Sequence, residues 1–463
     1  MKLTEVNYEK IITFFLITVI AVVPLLYFPY SGEADLYPTG FKTRLLIRDD
    51  NIYKPKIYAV FYLVLIMAVI MALKSRYKKK NFSADINNIS VTLFLIFTIL
   101  STFFSDHFFQ SIYGRPYRWE GLITYISYVL IFIAAGYFIA KRKFLKSIIK
   151  YLFISASILS VYGLLQFYGL DFIKRGPIRE NWQRAFATFG NPNFAASYIA
   201  IVLSVSLVLY IYSQKRQQLY KYGFFSSLFF AFLVATSTRS ALVGFLVSIP
   251  VFVLYSYDYL RKNLKRLIII VLIFIIILGV IDFQQELFYT NRVISLFVEV
   301  KTLTDAEQEQ TYVKVGSGRL AIYKYSLPLL FKNPIFGSGP DTFDTVFPQM
   351  KYNMLRNSKK SILVDKAHNE YLQIGITLGL PALLFYLLLL ANIYKNGFKA
   401  LKRLKNQVSE LNIYHTALFM AVITYTVTAL FNISVVSVAP IFWAVLGLNV
   451  ALYRMREQSE NNI

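Results

Sequence analysis

The reading of one stretch decides the fold: Gly223-Phe-Phe-Ser-Ser-Leu-Phe-Phe-Ala-Phe-Leu-Val-Ala-Thr-Ser-Thr238-Arg239-Ser-Ala-Leu-Val-Gly244-Phe-Leu-Val-Ser-Ile-Pro-Val-Phe-Val-Leu-Tyr-Ser-Tyr257. Its single charged residue is Arg239. About 20 apolar residues in a helix cross a hydrocarbon layer of roughly 30 Å. The stretch is too long for one crossing and reads as two, 223–238 and 240–257, joined at Thr238-Arg239. An arginine at a span junction is expensive unless it snorkels to the interface or faces a polar cavity, a partner or a ligand. Both settings fit a hairpin that turns at Arg239.

Working outward, similar runs recur at 11–29, 57–73, 89–104, 121–140, 148–167, 194–213, 267–284, 371–393, 414–432 and 438–453. With the hairpin this predicts an all-α polytopic membrane protein of about twelve transmembrane helices. Hydrophobic residues make up 56% of the 463 and charged residues only 16%, which excludes an ordinary soluble enzyme or a disordered chain. With no cysteine, thiol catalysis, disulfides and thiolate-held metal are excluded. The first run reads as a span and not as a cleaved leader, because Tyr27-Phe28-Pro29-Tyr30 is no small-residue cleavage site.

The net charge of +24 has to be placed relative to the membrane. Lys74–Lys80, Lys141–Lys146, Lys215-Arg216, Arg261–Arg266 and Lys395–Lys405 are short, basic and nearly acid-free, and they alternate with the other loops. The positive-inside rule puts them in the cytoplasm together with both termini. They set topology and meet anionic membrane lipids. No basic run interleaves with aromatics on a soluble module, so nucleic acid is not the expected partner.

The opposite loops are 30–56, 105–120, 168–193, the Arg239 hairpin, 285–370 and 433–437. Three parts follow: spans one to nine within 1–284, a large extracytoplasmic loop at 285–370 with short amphipathic helices, and spans ten to twelve within 371–463. These loops hold Arg115, Arg118, Arg175, Arg179, Arg184, Arg239, Arg292, Arg319 and Arg356. Arginine suits bidentate gripping of phosphate oxygens. In Val315-Gly-Ser317-Gly-Arg319, Ser317 is placed to cap a short helix with an apolar stripe of Leu320, Ile322, Tyr323, Leu327 and Leu330. Its N-terminus beside Arg319 makes an anion site, or simply a turn that seats the helix. Asn333-Pro-Ile-Phe-Gly337-Ser-Gly339-Pro-Asp341 is dense in turn residues and fixes a loop against something.

Asp365 reads as the N-cap of the tenth span, which places His368 in its first turn. His368, Leu372, Gly375 and Gly379 then share one helix face, the glycines allowing close helix approach. His368 is either an interfacial structural residue or a proton acceptor in an outer vestibule. His107 and His415 are scattered and read as incidental, and the histidine spacing does not suggest zinc. Together, arginines and one histidine converging on one face suit a polyanionic membrane-borne substrate and a single proton transfer.

These motifs resemble the O-antigen ligase and polymerase superfamily over about 105–382. His368-Asn369, followed by nine residues and then Gly379, is similar to the ligase signature at the end of the large loop. Thr238-Arg239-Ser-Ala resembles the family's Ser-Arg-Gly-Ala element, with Ser240 in place of glycine. Gly318-Arg319-Leu-Ala-Ile-Tyr323, followed by Pro334-x-x-Gly337-x-Gly339, resembles its Gly-Arg helix and turn, with Tyr323 where many members carry tryptophan. Thr188-Phe-Gly190-Asn-Pro-Asn193 and Tyr113-Gly-Arg-Pro-Tyr-Arg118-Trp-Glu-Gly121 resemble two further outer-loop elements.

The resemblance implies a GT-C-like bundle in a bacterial cytoplasmic membrane, with its active site on the extracytoplasmic face. It implies a glycosyltransferase that moves a glycan from undecaprenyl diphosphate to a hydroxyl on a glycan, lipid or protein acceptor. No cofactor and no metal are implied. Arg239 and Arg319 would grip the diphosphate, and His368 would act on the acceptor hydroxyl. Asn369, Arg184, Asn193 and Arg118 are the substrate-binding candidates. His368-Asn369 favours a ligase. A polymerase of the same superfamily is the alternative, and a flippase or transporter is the rival outside it.

Overall fold

The structure is a computed structural model that describes residues 8–27, 44–78, 85–116, 118–173, 184–284, 318–356 and 363–460. Among the described residues the regular structure is entirely helical. In chain order the helices are α1 (Tyr8–Ile17, continued by a π turn and a 3-10 turn to Leu25), α2 (Arg44–Lys78), α3 (Ile86–Phe103), α4 (Phe108–Tyr113), α5 (Leu122–Ile133, with a π turn to Phe138) and α6 (Arg142–Phe167). They continue with α7 (Pro192–Ile211), α8 (Arg216–Ala235), α9 (Arg239–Lys262), α10 (Leu264–Gln284), α11 (Arg319–Ser326), α12 (Phe343–Val346) and α13 (Gln349–Arg356). The last four are α14 (Glu370–Leu378), α15 (Leu380–Asn406), α16 (Glu410–Thr428) and α17 (Ala439–Glu460).

A helix forms at each of the twelve positions that the apolar runs mark out. Among the described residues, eight segments are long and apolar enough to cross a membrane: Tyr8–Leu25, Ile52–Ser75, Ile86–Phe103, Arg142–Phe167, Pro192–Ile211, Arg239–Lys262, Leu264–Phe283 and Leu380–Asn406. Leu122–Phe138 is a shorter apolar helix. The chain is an integral membrane protein. α7 lies at the centre, its apolar window 94% buried, whereas that of α10 is only 11% buried. α10 exposes Ile268, Ile269, Leu272, Ile275 and Ile276, an apolar face suited to a lipid surrounding. Polar contacts join helices within this core: Ser204 to Thr424 at 2.7 Å, Ser226 to Ser206 at 3.0 Å and Asn392 to Asn87 at 2.8 Å.

Three local expectations change. The predicted loop 30–56 is helical from Arg44, and Lys56 is fully buried in α2, donating to the Thr188 carbonyl at 2.8 Å. The predicted tenth span starts as a separate helix. α14 has nine residues, about 14 Å of rise, and stops at Gly379, where φ is +91°. A Cβ at Gly379 would lie 2.1 Å from the Ile335 carbonyl oxygen, so the glycine seats the 334–339 turn and does not form a helix–helix seam. That turn supplies what the end of α14 lacks: Ser338 N–H donates to the Ile376 carbonyl at 3.0 Å and Gly339 N–H to that of Thr377 at 2.8 Å.

The third change concerns the cap. Asn369, not Asp365, caps α14, its Oδ1 accepting from Leu372 N–H at 3.0 Å. The Asp365 carboxylate is taken up by Arg118, and the left-handed backbone of His368 (φ +52°) keeps the helix from starting sooner. His368 therefore precedes the helix and does not share a face with Leu372.

The described part of 285–370 folds over one end of the bundle around its own small core. Ala321, Ile322 and Tyr325 of α11 pack with Phe343, Phe347, Tyr352, Val364 and Ala367, and with Leu372 and Ile376, one turn apart on α14. The buried face of α11 is shifted from the predicted stripe: Leu327 is exposed, while Tyr325 and Ser326 are buried. Ser317, Arg175, Arg179 and Arg292 lie outside the described residues. Gly318 occupies the position before α11, with φ +80° and no side-chain cap.

Candidate functional site

The α8–α9 hairpin turns at Thr236-Ser237-Thr238, with Ser237 in the left-handed region at φ +51°. The last carbonyls of α8 have no partner within the helix, and Arg184 supplies one. Its Nε donates to the Thr236 carbonyl at 2.9 Å, and its terminal nitrogen reaches the Ser237 carbonyl at 3.3 Å, Thr238 Oγ1 at 3.0 Å and Asn193 Oδ1 at 3.4 Å. Arg239 opens α9. The buried stripe Ser240, Ala241, Gly244 and Ser248 presses that helix against α16 so closely that a Cβ at Gly244 would lie 2.3 Å from Thr428 Oγ1. The hairpin leading into Arg239 is thus held by helix packing on one side and by Arg184 on the other.

Arg319 opens α11, and Tyr323 follows one turn later on the same face. The Tyr323 hydroxyl is shared between the His368 carbonyl at 2.9 Å and the Leu430 carbonyl at 3.0 Å. Burial, and then the like charge of Arg239, presses the Arg319 guanidinium below its ordinary value, against an opposing pull from Tyr323. Two arginines from different parts of the chain are therefore electrostatically coupled, an arrangement that an anion between them would relieve.

His368 lies within a left-handed kink, tied on both sides. Glu370 N–H donates to the Ala429 carbonyl at 2.9 Å, and Ala367 N–H to Gln373 Oε1 at 2.8 Å. Burial lowers the imidazole pKa to about 4, and Arg319, Arg118 and Lys366 push the same way against Asp365. The ring is neutral at neutral pH and has an acceptor nitrogen available.

Sequence reasoning missed the ion-paired frame beneath it. Arg118 Nε meets Asp365 Oδ2 at 2.7 Å, and Arg115 pairs with Asp344. Lys366 Nζ lies 2.7 Å from Asp341 Oδ1 and 3.1 Å from Glu120 Oε2, all three side chains 4% exposed or less. Asp341 Oδ2 also accepts the backbone N–H groups of Arg115 and Glu120, at 2.7 and 3.2 Å. Burial works to raise Asp365, but Arg118 overrides it and holds the carboxyl well below the usual range. Burial likewise works against the charge on Lys366, and Asp341 and Glu120 override it, keeping the ammonium protonated. The only signal in the sequence was an acid or a lysine beside each named residue: Glu120 near Arg118, Asp341 after the glycine turn, Lys366 beside Asp365.

Trp119, Ala187, Ser237, Asp341 and His368 are the non-glycine residues with positive φ among those described, and all lie in the loops around this site. Backbone strain of this kind costs about 1–3 kcal/mol at each position and persists where surrounding structure enforces it. An apolar cleft of about 770 Å³ opens beside Asn369 and Tyr323 and continues along α15 past Leu383, Leu387 and Leu390 to Tyr394.

The structure therefore gathers Arg319, Arg239, His368 and Arg118 into one electrostatically coupled group. Asn369 is placed at its edge, and Arg184 with Asn193 is placed behind the hairpin. His107 is exposed before α4, and His415 is buried near the start of α16, about 20 Å of helix from Ala429. Arg356 ends α13.

No curated protein matches the chain. Residues 224–387 match the family model described as O-antigen ligase, a segment that includes Arg239, Arg319, His368 and Asn369 and leaves Arg118, Arg184 and Asn193 outside. Within its all-helical membrane bundle the chain thus carries an O-antigen ligase domain, which supports a membrane enzyme of the ligase or polymerase type.

Proposed function

We propose that this protein transfers a glycan from undecaprenyl diphosphate to an acceptor hydroxyl at the extracytoplasmic face of a bacterial cytoplasmic membrane. The observation that carries the proposal is the convergence of Arg239, at the start of α9, and Arg319, at the start of α11, on the buried, neutral His368 of the kink before α14. Two guanidinium groups within electrostatic reach of one another suit a diphosphate, which both can grip in bidentate fashion. As the bond from the anomeric carbon to the diphosphate oxygen breaks, its electron pair goes to the leaving group. The arginines stabilise that growing charge without any need for metal. The acceptor oxygen forms the new bond from the opposite face, with inversion, and its proton passes to the neutral imidazole.

The 770 Å³ cleft suits the polyprenyl chain. It is nearly all apolar, begins at Asn369 and follows α15 for about 16 Å from Leu383 to Tyr394. Twelve spans with both termini inside, in a GT-C-like bundle, put the arginine cluster on the outer face and the basic inner loops in the cytoplasm. Asn369, Arg184, Asn193 and Arg118 complete the substrate side. The first contributes its amide nitrogen, and the others hold or line the hairpin and the first outer loop.

Purified protein in proteoliposomes, given a lipid-linked glycan and an acceptor, tests the reading. Arg319→Ala and His368→Ala at normal membrane abundance are expected to lose most transfer; full activity from both would sink the proposal. Ligase chemistry is favoured over polymerase by His368-Asn369. Deleting the gene should then leave long glycans on the carrier and an unmodified acceptor, whereas single-repeat products on a modified acceptor would mean a polymerase.

A further inference from the structure

The kink that carries His368 is bounded by two buried ionisable residues, Lys366 two positions before it and Glu370 two positions after. Both converge on one residue of a distant loop. Lys366 Nζ meets Glu120 Oε2 at 3.1 Å. Glu370 and Glu120 both line one small cavity of about 10 Å³, bounded also by Tyr125, Gln373, Ser434 and Trp443, which has room for about one water.

The charges here do not balance. Lys366 is one cation facing Asp341 and Glu120. Glu370 has hydroxyl donors but no basic partner among the described residues: Tyr386 reaches Oε1 at 2.8 Å and Tyr425 reaches Oε2 at 3.0 Å. Tyr128 donates to Glu120 Oε1 at 3.3 Å. The remaining groups that bear on the pair are Arg118, already bonded to Asp365, and the phenols of Tyr125 and Tyr371. Three ionised carboxylates around one ammonium would leave two uncompensated negative charges in a dry interior, which proteins avoid by holding a proton.

We propose that Glu120 and Glu370 share one proton through the water-sized cavity between them, and that Glu120 thereby clamps both ends of the His368 kink as its positioning residue. With the proton in place, Glu120 holds Lys366 by charge and Glu370 by a hydrogen-bond bridge. When the proton leaves, the two carboxylates repel across the cavity and the kink loosens from the Glu370 side. Burial, partly offset by Lys366, raises the Glu120 carboxyl to about 7, so this loss is centred near neutrality and is complete at alkaline pH.

The role assigned to His368 rests on the transfer reaction proposed above, but the shared proton does not, and the test separates them. Infrared spectroscopy of the full-length protein in nanodiscs is the direct readout. Wild type at mildly acid pH is expected to show a C=O stretch from a buried protonated carboxyl that disappears on alkaline titration and changes in both Glu120→Gln and Glu370→Gln. In the transfer assay, wild type is expected to lose activity on the alkaline side through kcat with KM little changed, and Glu370→Gln to lose that limb because its amide cannot repel Glu120. A spectrum without a protonated-carboxyl band that responds to both substitutions would overturn the shared proton. An alkaline limb identical in wild type and Glu370→Gln would overturn the positioning role. If wild type transfers no glycan, the spectroscopic result still stands or falls by itself.

Discussion

The Tyr323 hydroxyl donates to the main-chain carbonyl of His368 at 2.9 Å, which fastens the helix of Arg319 to the kink that carries the histidine. The same hydroxyl reaches the Leu430 carbonyl just beyond α16. Arg319 and His368 are far apart in sequence, and this phenol sets their relative position.

Tyr323→Phe keeps the ring and removes the bridge. One hydrogen bond is worth about 1 kcal/mol net, and two strained carbonyls would lose their donor. The expected result is a fall in kcat of about tenfold, since roughly 1.4 kcal/mol of barrier is a factor of ten. KM for the lipid-linked donor should move little. An unchanged kcat would mean that the kink is held without Tyr323.

Arg239→Lys and Arg319→Lys separate charge from shape. Lysine retains the positive charge but not the planar fork that meets two phosphate oxygens at once. Each change is expected to lower kcat by ~10²-fold, within the range seen when one donor to a developing oxyanion is removed. The effect of the double change should be less than the product of the singles, because both act on one anion. Steady-state kinetics on the purified variants checks this. Simple multiplication of the two losses would indicate that the arginines serve separate ligands.

Much of this architecture was legible in the sequence because bilayer physics writes it there. A run such as 267–284 has one reading, and the lone Arg239 between two apolar runs marks a hairpin. Arg239, Arg319 and His368 were legible for a related reason: polar side chains at span ends need a purpose. Asp365 was misjudged as the cap because it and Asn369 are each good caps in isolation. The choice was made by Arg118, more than two hundred residues away, which takes the Asp365 carboxylate. The Lys366–Asp341–Glu120 cluster was illegible on the same grounds, since its three members come from distant stretches of two loops and have meaning only when buried together. Arg184 showed in the sequence as a phosphate grip, yet the structure gives its guanidinium to the end of α8.

The pH dependence of transfer carries a signature of burial at His368. An imidazole at its usual value would protonate through about 6.5, and activity that needs the neutral ring would fall there. Burial lowers this ring to about 4. Because the folded value lies below the ordinary one, the neutral form persists as pH drops and is lost only near the lower figure. The acid limb of kcat/KM is therefore expected near pH 4 and should be absent in His368→Gln, whatever residual rate that variant keeps. A limb centred at the ordinary histidine value would place the ring in water.

Gly379→Ala tests the seat of the 334–339 turn. The added methyl would meet the Ile335 carbonyl, a backbone atom that cannot rotate away, at a position where φ is already +91°. Left-handed strain alone is about 1–3 kcal/mol for a non-glycine residue. Lower membrane abundance and a reduced Tm are expected even with no substrate present. Gly169→Ala, also at positive φ but with open space around it, should show the strain without the clash and be milder.

Asn369 has two possible uses, and its own atoms separate them. Oδ1 is spent on the Leu372 N–H as the cap of α14, while the amide nitrogen is the group assigned to substrate. Asn369→Ser keeps a capping oxygen and so should retain stability to within a few tenths of a kcal/mol, whereas Asn369→Ala should lose about 1 kcal/mol. If the amide nitrogen meets the donor, both variants lose transfer to a similar extent although only alanine melts earlier. If capping is the whole role, activity follows stability and the serine variant works like wild type. Parallel measurement of Tm and transfer rate for the pair decides between them, since no single effect on the helix end can lower the rate of the serine protein while leaving its melting unchanged.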